Sequence, residues 1–127
     1  MMTVITYLTL QEGSEPEWDS AMRARLDSAN GRRGFLRSQL LMPLDGPNRR
    51  VIVGTWSTRA DWEAWHNDSA FLAARRRLDE LQEAPGDTNW FEVMESQPAA
   101  GVGHAVDAVV DRVRDMVNTI AGRGTEK

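Results

Sequence analysis

The chain contains no cysteine. Disulfides, thiolate zinc sites, iron–sulfur clusters and cysteine nucleophiles are excluded together. That absence suits a reducing cytoplasm, the expected location. Histidine is scarce, with only His66 and His104 in the sequence. A metal site needs clustered histidines and carboxylates, so none is expected. Glu63 and His66 stand three apart, a spacing too common to count. Positive charge is not in excess: the formal net charge is −4, which predicts no nucleic-acid partner. No run approaches the ~18 apolar residues of a membrane span. The opening MMTVITYLTLQEG lacks a basic start and a long apolar core, so no signal peptide is expected. Internal repeats, phosphate loops, nucleophile elbows and paired catalytic carboxylates are also missing.

What remains is a chain of 127 residues, 41% apolar and 27% charged, the profile of one globular domain. Residues 2–10, MTVITYLTL, are β-branched and aromatic and predict a strand. Met2, Val4, Leu8 and Leu10 share one face of it with Thr6, and Ile5 and Tyr7 take the other. Ser14-Glu-Pro-Glu17 has the form of a capping box, with proline in the first turn. The helix it opens runs to about Ala29, with Trp18, Met22 and Leu26 on one face and Ala21, Arg25 and Ala29 beside them. Asn30-Gly31 stops it.

Residues 34–44 and 49–57 predict a hairpin around the turn Asp45-Gly-Pro-Asn48. A short helix, DWEAWHN, follows a cap at Thr58 or Asp61. It breaks at Asn67-Asp68-Ser69, and a second helix covers 70–84 up to Pro85-Gly86. Residues 88–96 read as a fourth strand. The order β-α-β-β-α-β is that of a ferredoxin-like α+β fold with a four-stranded antiparallel sheet. The strands carry apolar residues on both faces, yet the two helices cover only one. A second copy of the chain is the economical cover for the other.

Residues 97–103 have linker composition. Beyond them, Val102, Val106, Val109, Val113, Met116 and Ile120 are spaced 4, 3, 4, 3 and 4 apart. That rhythm predicts an amphipathic helix over 104–121, with 122–127 as a tail. A lone helix of that length is marginal in water, so it is expected to pack on its own dimer.

The segments VITYLTL, GFLRSQLLMPLDGPNRRVIVGTW, DWEAWHNDSAF and NWFEVME together resemble the antibiotic biosynthesis monooxygenase domain, of the dimeric α+β barrel superfamily. The resemblance covers residues 1–96. It implies a homodimer and a cavity in each protomer between sheet and helices. It also implies a cofactor-independent monooxygenase acting on a small electron-rich aromatic, polyketide- or quinol-like. In such enzymes the substrate's own phenol, once ionised, activates oxygen. Haem-degrading members carry an asparagine in the first strand, a tryptophan after the third strand and a ligating histidine about ten residues on. Here Trp65 matches the tryptophan. The other two positions fall on Thr6 and on Ala74 or Arg75, so no haem or other cofactor is expected.

The candidate residues follow from both readings. On a helix Trp62 and His66 share a face, with Trp65 about 60° away, so all three can line one wall. Trp65 and His66 are the catalytic candidates, and an imidazole titrating near neutrality suits proton transfer. Trp62, Tyr7, Asn67 and Arg75 are candidates to hold substrate: a wall, a phenol donor, an amide beside the wall, and one arginine of Arg75-Arg76-Arg77 for an anion. Each has a plainer alternative. The tryptophans read first as core residues, His66 as a helix end and the arginine run as a solvated face, while Tyr7 is equally a barrel-core residue. For the whole chain the first alternative is a non-catalytic small-molecule-binding or scaffold dimer, and the second, ranked behind it, a haem-binding or haem-degrading protein.

Overall fold

The computed structural model describes residues 1–99. Its compact unit spans Met1–Val93. The elements are β1 (Met2–Thr9), α1 (Glu15–Asp27), β2 (Phe35–Leu41), β3 (Arg49–Trp56), α2 (Arg59–His66), α3 (Leu72–Glu80) and β4 (Asp87–Glu92). The sheet order is β2-β3-β1-β4, every pair antiparallel, which is the ferredoxin-like arrangement. Residues 94–99 form no helix or strand. The expected helix over 104–121, the tail after it and most of the linker lie outside the described residues.

Alternation on β1 decides the faces. Met2, Val4, Leu8 and Leu10 are buried beneath the helices, and Tyr7 is exposed on the other side. Two clusters form the core. One joins Met2, Val4, Ala29, Trp56, Trp62 and Trp65. The other joins Leu8, Leu10, Trp18, Met22, Leu78 and Leu81. Trp18 is fully enclosed, and its indole N–H donates to Gln82 Oε1 at 3.2 Å.

Several helix ends differ from expectation. The capping box does not form. Ser14 Oγ donates instead to the carbonyls of Gln11 and Leu81, tying α1 to the end of α3. Glu17 turns away to take a bidentate pair from Arg77 of α3, at 2.6 and 2.7 Å. Thr58 does cap α2, its hydroxyl accepting from Asp61 N–H at 3.1 Å. Asp68 then adopts an extended conformation and caps a 3-10 turn over Ser69–Phe71 before α3 begins. The entry into β2 depends on Gly34, whose φ is +83°. A Cβ there would stand 2.7 Å from Asp61 Cβ, so strand β2 can start close under α2 only with glycine.

The open face carries Tyr7, Leu41 and Phe91, all exposed, around half-buried Ile5, Val51 and Val53. The register aligns them, with Ile5 opposite Val53 and Tyr7 opposite Val51. No helix of the described residues is long and apolar enough to cross a membrane.

Candidate active site

Between the sheet and the helices lies a cavity of about 240 Å³. Its floor is the inward face of the sheet, with Val4, Thr6, Leu8, Ile52, Gly54 and Trp56. Thr6 and Thr88 exchange a hydrogen bond across β1 and β4 at 3.0 Å. Gly86 keeps the floor low, since a Cβ there would meet Leu8 Cδ2 at 2.7 Å. The roof comes from α1, α2 and α3.

Four of the six expected residues meet here: Trp62, Trp65, His66 and Arg75 all line the cavity. The spacing on α2 does what helical geometry requires. Trp62 stacks on His66 with ring centroids 4.4 Å apart and planes 15° from parallel. Trp65 lies against Trp56 at 5.5 Å and donates its indole N–H to Ser28 Oγ at 2.9 Å. Both tryptophans are buried, so they are core and cavity wall at once. Trp65 offers a ligand its ring and not its N–H.

Two expectations are corrected. Tyr7 is 51% exposed on the open sheet face, beside Arg49, Val51 and Asp87. Strand alternation turns Thr6 into the cavity and so turns Tyr7 out of it. Asn67 is exposed and does not line the cavity. As the C-cap of α2 it sits one residue past the wall, with its N–H bonded to the carbonyl of Glu63.

The residue that sequence reasoning missed is Arg25. Its side chain is 5% exposed and lines the cavity from α1. The guanidinium stacks 4.2 Å above the Trp65 ring and 5.3 Å from Phe71. Its Nη2 donates to the carbonyl of His66 at 3.1 Å. That carbonyl ends α2, where the helix dipole is negative and carbonyls lack helical partners. This interaction explains how a cation stays buried without a carboxylate. Burial still pulls its pKa down to about 10, so it is charged at neutral pH. The sequence held a signal: Trp18, Met22, Arg25 and Ala29 follow helical spacing, so Arg25 interrupts an otherwise apolar stripe.

His66 is pushed down to about 4, first by burial, then by the charges of Arg75 and Arg25. It is therefore neutral at pH 7. Its folded pKa lies below the unfolded value of 6.5, so the unfolded chain binds the extra proton as pH falls. Stability is then lost between pH 6.5 and about 4. For a half-buried ring partly screened by solvent, the loss is on the order of 1–2 kcal/mol. Urea midpoints at pH 7 and pH 5 will show this difference. His66→Phe, which retains a ring against Trp62, will reduce it; an unchanged difference would place the titration elsewhere.

The haem-ligating histidine of the haem-degrading members has no counterpart at its own position in this chain. Ala74 is exposed, and Arg75 brings a guanidinium where a ligating imidazole would be needed. Among the described residues, no three histidine or acidic side chains gather as a metal site.

Comparison with known proteins agrees with this architecture. A mycobilin-producing heme oxygenase of Mycobacterium tuberculosis is 30% identical over 69 residues, 54% of this chain and 66% of the relative. The chain thus spans just under two thirds of the length of that curated relative. A cofactor-independent oxygenase from Streptomyces nogalater superposes with a TM-score of 0.68 at 20% identity, covering 77% of this chain and 97% of that one. A Deinococcus radiodurans protein assigned to the antibiotic biosynthesis monooxygenases gives a TM-score of 0.70 at 14% identity, covering 80% and 100%. At these identities the structural likeness concerns the fold. The family model for antibiotic biosynthesis monooxygenase matches residues 1–77, and the chain belongs to that family.

Proposed function

We propose that this chain is a cofactor-independent monooxygenase that oxidises a small electron-rich aromatic in the cavity under α2. The observation that carries the reading is the wall of Trp62, Trp65 and His66 with buried Arg25 behind it. Apolar rings hold the ligand's faces. The guanidinium favours the ionised form of a phenol, because a nearby cation lowers an acid's pKa. An ionised phenol is electron-rich enough to pass an electron to dioxygen. Recombination at the ring carbon para to the hydroxyl gives a peroxide, which loses water to leave a quinone. The balance is one phenol and one dioxygen to one quinone and one water. The phenolic and ring hydrogens both leave in the water.

His66 is the proposed acceptor of the phenolic proton. Arg25 and Arg75 oppose its protonation while the cavity is empty. As the phenolate appears among these groups, its charge offsets theirs, so proton transfer and anion formation are coupled. Trp65 is proposed to hold the ring plane and exclude water.

The reading extends to a homodimer. The apolar open face needs cover, and a second copy placed sheet to sheet supplies it and closes the barrel. Small aromatic ligands and a second copy are the partners proposed.

Oxygen uptake tests the enzyme reading. With 1-naphthol as probe, the wild type should consume dioxygen, and His66→Phe should lower kcat about 100-fold or more. Trp65→Phe should slow turnover less, since a ring remains. Ligand binding without uptake by any variant would instead identify a non-catalytic binding protein.

A further inference from the structure

The buried cation of the site is only partly satisfied by the His66 carbonyl and the Trp65 ring. Nη1 of Arg25 is buried and has no hydrogen-bond partner. Arg75 is half-buried at the same cavity. Among the described residues, neither arginine has a carboxylate within 4 Å. An unsatisfied donor on a buried cation is costly to keep, and a ligand anion is its natural partner. The surroundings confirm the imbalance. Facing Arg25 are His66 from α2, Asp68 from the following turn, and Arg75 from α3. Asp68 is already engaged by Arg32 at 3.0 Å, and Arg32 adds a further positive charge. The cavity's carboxylate, Asp79, is exposed. The local field favours a negative ligand.

We infer that the cavity selects aromatic ligands by an anionic oxygen, bound at the Arg25 guanidinium and supported by Arg75, with the ring against Trp62 and Trp65. The inference rests on the proposed use of this cavity and deepens it by making the anionic oxygen, phenolate or carboxylate, the feature by which ligands are selected. A charged hydrogen bond inside an apolar site discriminates strongly, because the neutral analogue leaves the guanidinium unpaired.

Two ligand chemistries carry such an oxygen, a carboxylate and a phenolate, and separate arms distinguish them. The first arm is calorimetric titration at pH 7 with 6-hydroxy-2-naphthoate and its methyl ester. The naphthoate should bind about 10- to 100-fold more tightly than the ester to the wild type. Arg25→Met should erase that ratio while leaving the ester's affinity within about threefold. The second arm is absorbance titration of 4-nitrophenol with protein. The bound phenol should ionise at least one pH unit lower than the free one, and Arg25→Met should remove the shift. Arg75→Met should reduce both effects in part.

A preference for the carboxylate alone supports an aromatic-acid site, and a lowered phenol pKa alone supports a phenolate site. Equal affinities for naphthoate and ester, together with an unshifted nitrophenol, overturn the inference. Arg25 would then serve only to satisfy the His66 carbonyl at the end of α2. If the ester and 2-naphthol also fail to bind, the cavity reading itself falls. Should Arg25→Met not fold, the two wild-type ratios and the Arg75→Met variant still decide.

Discussion

Replacing Trp18 with alanine is expected to cost the fold about 3–5 kcal/mol, the range for deleting a large aromatic from a packed core. Trp18 is fully buried between Leu10, Met22, Leu78 and Leu81, and it does not line the cavity. Truncation leaves a void that β1, α1 and α3 cannot all collapse to fill. It also removes the donor that satisfies the buried side-chain oxygen of Gln82. For a domain of this size each kcal/mol moves the melting temperature by roughly 4–8 °C. The drop should therefore be on the order of 12–40 °C. Trp18→Phe should cost less, about 1–3 kcal/mol, because it forfeits the hydrogen bond and part of the volume. A thermal melt in which Trp18→Ala loses less than about 1 kcal/mol would show that this cluster is not the second half of the core.

The second large effect concerns the open sheet face. Ile5 sits near the middle of it, paired across the ladder with Val53. If a second copy covers this face, the interface should be of the obligate kind, above roughly 2,000 Å² in total. The wild type should then sediment at twice 14.3 kDa, and its melting temperature should rise with protein concentration. Ile5→Lys buries an unpaired ammonium at the centre of the interface, which costs several kcal/mol. The variant should sediment near 14.3 kDa or lose its fold at micromolar concentration. A wild type that is folded and monomeric at that concentration would reject the dimer.

The sequence revealed those parts of the fold where one periodicity dominated. On β1 the alternation of Met2, Val4, Leu8 and Leu10 against Ile5 and Tyr7 separates the buried face from the open one, as found. On α2 the spacing of Trp62, Trp65 and His66 predicts a shared wall, which forms. Local pattern failed where tertiary partners competed. Ser14 and Glu17 have the spacing of a capping box, but Leu81 and Arg77 on another element take both side chains. Strand β2 stops at Leu41 and not at residue 44, because Pro43 lacks a ladder donor and Leu44 points into solvent. Tyr7 entered the candidate site through its chemistry, against the face its own position had assigned.

Arg25 was misjudged for a related reason. A charge within an apolar stripe looks like noise in a helical pattern. Its meaning depends on Trp65 and the carbonyl of His66, which lie about forty residues later in the chain. Only the packing of α1 against the end of α2 turns that charge into a feature of the cavity. His66 lines the cavity, but not as an imidazole that titrates near neutrality. Burial and two arginines take it from a neutral-pH titrator to a neutral imidazole.

The most direct measurement is the fate of labelled dioxygen. Protein freed of metal and haem should be incubated with 1-naphthol under ¹⁸O₂, and the quinone analysed by mass spectrometry. One ¹⁸O atom is expected in each quinone and one in the water formed, at a rate unaffected by chelator. An unlabelled quinone, or no product above the protein-free control for any hydroxylated aromatic tried, would contradict the proposed monooxygenase function.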